Sequence, residues 1–124
     1  MNKQYGIELI LDLSNCDITL FTRPQLSTFF KKIAKITDMK LALSPYFWNE
    51  ENGGYTDEPH LKGLSAFHFI ETSNITVHCL ELLKSVFVNL FTCKDFNIDE
   101  ACMFIEKFFK GKIINKSVIK REYV

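Results

Sequence analysis

At 124 residues and 14.4 kDa the chain, 1–124, is expected to be a single domain with enough apolar surface to close a core without disulfides or a structural metal. Hydrophobic residues make up 47% and charged residues 24%, which excludes a disordered, collagen-like or disulfide-packed chain. Fifteen Lys and Arg balance fifteen Asp and Glu, so no net field draws the protein to nucleic acid or to an anionic membrane, and neither is expected as a partner.

From Tyr5 to Leu13 the residues alternate. Ile7, Leu9, Leu11 and Leu13 share one face and Glu8, Ile10 and Asp12 the other, which predicts a half-buried strand ended by Ser14-Asn15. Pro24 suits a first helical turn, and Leu26, Phe29, Phe30, Ile33 and Ile36 recur at helical spacing, with Lys31, Lys32 and Lys35 facing water. An amphipathic helix is expected over roughly 24–37. Met39 to Phe47 reads as a second strand, and Asn49 to Asp57, with Gly53-Gly54 inside it, as the longest loop. Leu64 to Ile70 and Ile75 to Leu80 are β-rich runs joined by the tight connection Glu71-Thr72-Ser73-Asn74, and Val86 to Cys93 is a further strand. Asn97, with Glu100 three residues later, is the N-cap signal of a second helix. Its apolar face is Ile98, Ala101, Cys102, Ile105, Phe108 and Phe109, and Gly111 ends it. Lys112 to Tyr123 is a final, more polar strand suited to a sheet edge.

This order describes an α+β two-layer sandwich, a mostly antiparallel sheet with two helices. If both helices cover one face, the other invites a partner subunit. All twelve Phe residues are assigned to the core. Cys16, Cys79, Cys93 and Cys102 form no C-x-x-C pair and no Cys/His cluster at zinc spacing, so no metal is expected and reduced thiols in a cytoplasmic protein fit best. The segment Met-Asn-Lys-Gln-Tyr-Gly-Ile-Glu carries no apolar h-region and no apolar run reaches the length of a membrane span, so no membrane is expected either.

Common enzyme signatures are absent: there is no Gly-rich phosphate loop, no H-E-x-x-H and no G-x-S-x-G elbow. The dense polar segment is Ser65, His68, Ser73, His78 and Cys93. Taken singly, a strand His, a turn Ser and a Cys in an apolar strand are structural residues. Taken together, they match a pattern. Gly63-Leu-Ser65-Ala-Phe-His-Phe-Ile-Glu-Thr72-Ser73-Asn74-Ile-Thr-Val-His78 resembles the processing region of the prokaryotic S-adenosylmethionine decarboxylases, which reads G-V-S and then E-S-H-I-S-I-H. In that family the first Ser stands eight residues before the cleavage Ser, a His stands five after it, and the catalytic Cys stands fifteen after the His in F-T-C. Ser65, Ser73, His78 and Phe91-Thr92-Cys93 reproduce these spacings. Gly6-Ile-Glu-Leu-Ile-Leu-Asp12-Leu-Ser-Asn-Cys16 is similar to the family's G-x-H-L-x-x-D-x-x-G-C.

The resemblance implies that Ser73 attacks the carbonyl of Thr72, that the peptide becomes an ester, and that elimination turns Ser73 into a pyruvoyl group. Ser65 and His78 would assist, and Cys93 would protonate the product carbon. The pyruvoyl carbonyl takes up the substrate amine and withdraws electrons as carbon dioxide leaves. Also implied are an αββα sandwich homodimer with active sites near the interface, a small-molecule amino-acid substrate, and, if that is S-adenosylmethionine, a place in spermidine and polyamine biosynthesis.

Several family positions are changed. Thr72 replaces a Glu, with Glu71 next door, and Asn74 replaces a His. His78-Cys79-Leu80-Glu81-Leu82 stands for H-T-W-P-E, so the ribose-binding carboxylate is displaced to Glu81, which on a strand turns it to the opposite face. Pro59 occupies the place of the ring that stacks on adenine, and Glu8 that of the N-terminal His. Pro59, Leu80, Glu81 and Leu82 therefore mark an altered substrate pocket. Three readings follow: a decarboxylase of S-adenosylmethionine, the same chemistry on a different amino acid, or an unprocessed and inactive homolog. The last would bind a small molecule, or regulate an active decarboxylase through mixed dimers.

Overall fold

Residues of one parity in the central strands are apolar, and the chain folds so that all of them face the same way. In the computed structural model, which describes residues 1–49 and 57–124, the strands are β1 (Lys3–Ser14), β2 (Tyr46–Asn49), β3 (Gly63–Ile70), β4 (Ser73–Leu80), β5 (Ser85–Thr92) and β6 (Lys112–Tyr123). They make one sheet in the order β2-β3-β4-β5-β1-β6, every neighbouring pair antiparallel. Leu9 and Leu11 of β1, Ile75 and Val77 of β4, and Val88 and Leu90 of β5 are fully buried on the face covered by helices α1 (Arg23–Ile36) and α2 (Ile98–Phe109). This is the expected two-layer α+β architecture.

Both helices start where their caps dictate. Thr22 accepts a hydrogen bond from the Gln25 amide and Asn97 from the Glu100 amide at 2.9 Å, each satisfying an otherwise orphaned donor. The left-handed residue that closes α2 is Lys110, at φ 52°, one position ahead of the expected Gly111. Between the helices, Phe29 is fully buried and meets the rings of Phe30, Phe104, Phe108 and Phe109 at centroid separations of 5.0–5.9 Å.

Three expectations need correction, and one lies outside the described residues. The strand expected over Met39 to Phe47 is reduced to Tyr46–Asn49, preceded by an isolated bridge between Leu41 and Ile70. Asp38 and Leu43 adopt positive φ and Pro45 lacks a donor, so an unbroken ladder cannot form there. The loop expected from Asn49 to Asp57 lies, apart from its two ends, outside the described residues. Not all phenylalanines are core: Phe67 and Phe69 are exposed, because their strand parity puts them on the face that no helix among the described residues covers. Finally, the tight connection contains only Glu71 and Thr72, since Ser73 already pairs with Ile70, and β5 ends at Thr92, leaving Cys93 just past it.

The uncovered face carries a patch of exposed rings. Tyr46, Trp48, Phe67 and Phe69 are exposed there, Tyr46 stacked on Phe67 at 5.5 Å and Phe67 edge-on to Phe69 at 5.4 Å. Further along, Tyr5 stacks on Phe91, and Arg121 lies 5.1 Å over the same Phe91 ring. Phe29→Ala, which removes the ring at the centre of the helix–helix contact, is expected to lower stability by about 3–5 kcal/mol in urea unfolding.

Candidate active site

Two residues reverse the chain between β3 and β4, and the second is Thr72 at φ 50°. A left-handed conformation suits Gly or Asn, whereas a β-branched side chain there is strained by an amount on the order of 1–3 kcal/mol. That strain sits on the residue whose carbonyl is joined to Ser73. The Thr72 hydroxyl donates to the Glu71 carbonyl at 2.8 Å. Ser73, 4% exposed, accepts a hydrogen bond from the Cys93 amide at 2.9 Å, which ties the hairpin to the end of β5. The Cys93 thiol points at the Glu71 carbonyl, 3.7 Å away.

Cys93 owes its position to its neighbours. Thr92, fully buried, donates its hydroxyl to the Lys94 carbonyl and fixes the chain as it leaves β5. Gly6 of β1 runs so close that an added Cβ would lie 1.8 Å from the Thr92 oxygen, so only glycine allows β1 to pair there. Hydrogen bonds from the hydroxyls of Thr72 and then Ser73, with a small contribution from Lys94, hold the Cys93 thiol below the usual thiol range. The other thiols go the opposite way. Burial pushes Cys16 up to about 11 and raises Cys79 and Cys102 as well.

Ser65 and His78 form a second cluster. They face each other across the β3–β4 ladder on the uncovered face, with Ser65 Oγ 2.7 Å from His78 Nδ1. A Cβ on Gly63, at the start of β3, would meet the Cys79 carbonyl oxygen at 1.9 Å, so this glycine permits the close pairing beside the cluster. The pair opens into a hollow of ≈ 440 Å³ walled by Tyr46, Trp48, Phe67 and Thr76. A hollow of ≈ 390 Å³ at the hairpin turn is lined by Phe69, Glu71, Thr72, Ser73, Asn74 and Phe91.

The five polar residues singled out in the sequence thus separate into groups. Ser73, Thr72 and Cys93 come together at the turn, and Ser65 and His78 come together on the open face. Five residues along β4 separate His78 from Ser73, about 17 Å at the usual strand rise, and their odd difference puts them on opposite faces. His68 points to the helix side and joins neither group. Of the altered pocket positions, half-buried Pro59 and Leu80 and exposed Leu82 line neither hollow. Glu81 follows the end of β4, so it is a turn residue and not a strand residue, and it lines a third, polar hollow with Thr22, Arg23 and Lys62. Glu8 accepts from Arg121 at 2.8 Å and from Asn89 at 3.2 Å on the open face. Sequence reasoning missed the wall formed by Tyr46, Trp48 and Phe67. The signal is the alternation of rings at Tyr46 and Trp48 and at Phe67 and Phe69, of which the sequence reading assigns the phenylalanines to the core.

No helix among the described residues is long and apolar enough to cross a membrane, and no group of three or more His, Cys, Asp or Glu among them could hold a metal ion. Compared with known families, the chain matches the model for S-adenosylmethionine decarboxylase over residues 7–122. No curated protein matches it.

Two predictions follow from the turn. Thr72→Gly relieves the left-handed strain and is expected to raise stability by about 1 kcal/mol in chemical denaturation, net of the flexibility that glycine adds to the unfolded chain. Iodoacetamide at neutral pH is expected to modify one thiol per native chain, located at Cys93 by peptide mass. The thiolate is the reactive form, and lowering the pKa increases it at fixed pH, while raised pKa values and burial protect Cys16, Cys79 and Cys102.

Proposed function

The chain belongs to the S-adenosylmethionine decarboxylase family, and from that membership we propose that it is a decarboxylase whose pyruvoyl group forms by self-cleavage between Thr72 and Ser73. The observation that carries this reading is the strained Thr72 followed by a buried Ser73 anchored on Cys93, at the spacings the family uses. Ser73 fits as the precursor of the group. Its Oγ bonds to the Thr72 carbonyl carbon, the C–N bond of the peptide breaks, and the hydroxyl proton passes to the Ser73 nitrogen. Release of the left-handed Thr72 conformation favours this step. Loss of the Ser73 Cα proton then expels the Thr72 carboxylate, and water removes the nitrogen as ammonia. Once present, the pyruvoyl group supplies an electrophilic carbonyl that draws electrons from the substrate as carbon dioxide leaves. Cys93, by its position at the turn, is the donor of the proton delivered to the product carbon, and its lowered pKa makes it the stronger acid for that step.

His78 and Ser65 cannot assist Ser73 of their own chain across about 17 Å. They can serve a second copy. Two open faces packed against each other in an αββα homodimer would bury the rings of Tyr46, Trp48, Phe67 and Phe69 and bring Ser65 and His78 of one protomer to the turn of its partner. The substrate is an amino acid, S-adenosylmethionine or another, whose flat or apolar group lies among Tyr46, Trp48 and Phe67, since Pro59, Leu80, Glu81 and Leu82 lie outside that hollow. A cytoplasmic place in polyamine synthesis belongs to the first of these substrates. Thr72 and Asn74, which replace the family's Glu and His, favour a second reading: an unprocessed, inactive homolog that binds a small molecule or regulates an active partner through mixed dimers.

Intact mass under denaturing conditions separates these readings. Two fragments meeting between Thr72 and Ser73, the second without a free amino terminus, are expected of the decarboxylase, and one undivided 14.4 kDa chain after prolonged warming is expected of the inactive homolog. The shared site has its own test. Ser65→Ala and Cys93→Ala are each expected to abolish carbon dioxide release from the substrate. Mixed and re-equilibrated, they should recover about a quarter of wild-type activity, because half of the dimers are mixed and each carries one intact site of two.

A further inference from the structure

On the helix side of the sheet, away from both catalytic clusters, α1 and the segment 39–45 enclose a hollow of ≈ 320 Å³. Ser27 and Lys31 of α1, Leu41, Ser44 and Pro45 line it, and its floor is His68 of β3. His68 is 3% exposed and packs edge-on to Phe30 at 5.6 Å. Its Nδ1 lies 2.8 Å from the Phe69 carbonyl oxygen. A carbonyl only accepts, so Nδ1 carries a proton, and in the tautomer this bond selects Nε2 is an acceptor on the opposite ring edge. Among the described residues it has no hydrogen-bond partner. A buried acceptor left without a donor is unfavourable, so a molecule in the hollow that donates to Nε2 is favoured there.

The lining limits what that molecule can be. The Lys31 ammonium, with no carboxylate paired to it among the described residues, disfavours a cation. A carboxylate would satisfy Lys31 but would offer Nε2 nothing. A protonated phosphoryl group satisfies both: its charged oxygens accept from Lys31 and from the hydroxyls of Ser27 and Ser44, and its P–OH donates to Nε2.

One wall of the hollow is also bonded to the hairpin. The Ala42 amide donates to Phe69 O at 2.9 Å, the Glu71 amide to Lys40 O at 3.3 Å, and Leu41 bridges Ile70. The segment that walls the hollow is therefore bonded to the strand end and the turn immediately before Ser73. We propose that this hollow binds a small phosphoryl oxyanion, free phosphate or a phosphomonoester, through His68 and Lys31, and that the bound anion stiffens the turn at Thr72–Ser73 by pinning the segment 39–45 to α1. Occupancy then regulates the turn from the face opposite Ser65 and His78.

The test uses the full chain carrying Ser73→Ala, which cannot cleave, so its outcome is independent of self-processing. Inorganic phosphate is titrated against sodium sulfate at matched ionic strength near neutral pH, sulfate having the same shape and no proton to donate. The readouts are the His68 imidazole nitrogen resonances and amide exchange at Ala42 and Glu71. Expected are a saturable phosphate-induced shift of Nε2, several-fold slower exchange at both amides, and a loss of affinity of about tenfold in Lys31→Gln, an exposed substitution that leaves the core intact. The proposal is overturned if sulfate acts as well as phosphate, if Lys31→Gln binds as the parent does, or if neither anion moves Nε2, in which case the donor in the hollow is water. A phosphomonoester that binds more tightly than free phosphate identifies the esterified group as the natural occupant, and the reverse order identifies free phosphate.

Discussion

Pairing Ile70 with Ser73 leaves Glu71 and Thr72 alone to reverse the chain, and most of what is distinctive in this molecule descends from that register. A two-residue reversal whose second member is left-handed puts Thr72 into a conformation its β-branched side chain resists. The same register sets Ser65 opposite His78 at hydrogen-bonding distance, and it turns Ser73 and His78 to opposite faces. A slip of one residue would exchange the faces and dissolve both clusters. Gly63 supports the register from the far end of β3, where any Cβ would strike the carbonyl of Cys79.

The second constraint is one-sidedness. The Phe29 cluster uses both helices to close one face of the sheet, and no third layer among the described residues covers the other. A sheet face carrying Tyr46, Trp48, Phe67 and Phe69 in water is unfavourable by the same hydrophobic effect that builds the core. In the proposed homodimer half of the site lies on a surface suited to burial, and the other half at a turn that ends on that surface. Self-association and chemistry are linked by geometry in the proposed homodimer.

Four cysteines show how position decides reactivity. Cys16, Cys79 and Cys102 sit among apolar side chains, where desolvation disfavours the thiolate. Cys93 sits beyond the end of β5, where the hydroxyls of the strained turn favour it. Thr72 therefore has two consequences, strain in the backbone and stabilisation of the neighbouring thiolate. Where the family carries Glu, this chain has a shorter residue that provides both.

Alternation in Ile7 to Leu13 and in the runs around Ala66, Val77 and Val88, the helical spacing of Leu26 to Ile33, and the caps Thr22 and Asn97 act over a few residues. Such local periods can be read directly from a chain, and so the two-layer α+β class, the edge position of Lys112–Tyr123 and the spacing of Ser65, Ser73, His78 and Cys93 were legible in the sequence. The shortening of β2 was not, because Asp38 and Leu43 take positive φ in a segment whose partners, Ala34, Phe69 and Glu71, lie elsewhere in the chain or the fold. Nor could the sequence separate exposed Phe67 and Phe69 from buried Phe29 and Phe30, since a ring's composition is the same whichever side is covered. Local pattern determined which residues are apolar and how far apart the reactive ones stand. Only long-range strand register and the choice of which face the helices cover decided that those residues form two clusters, one at the turn and one out on the open face, because parity along a strand acquires a direction only when the layer above it is in place.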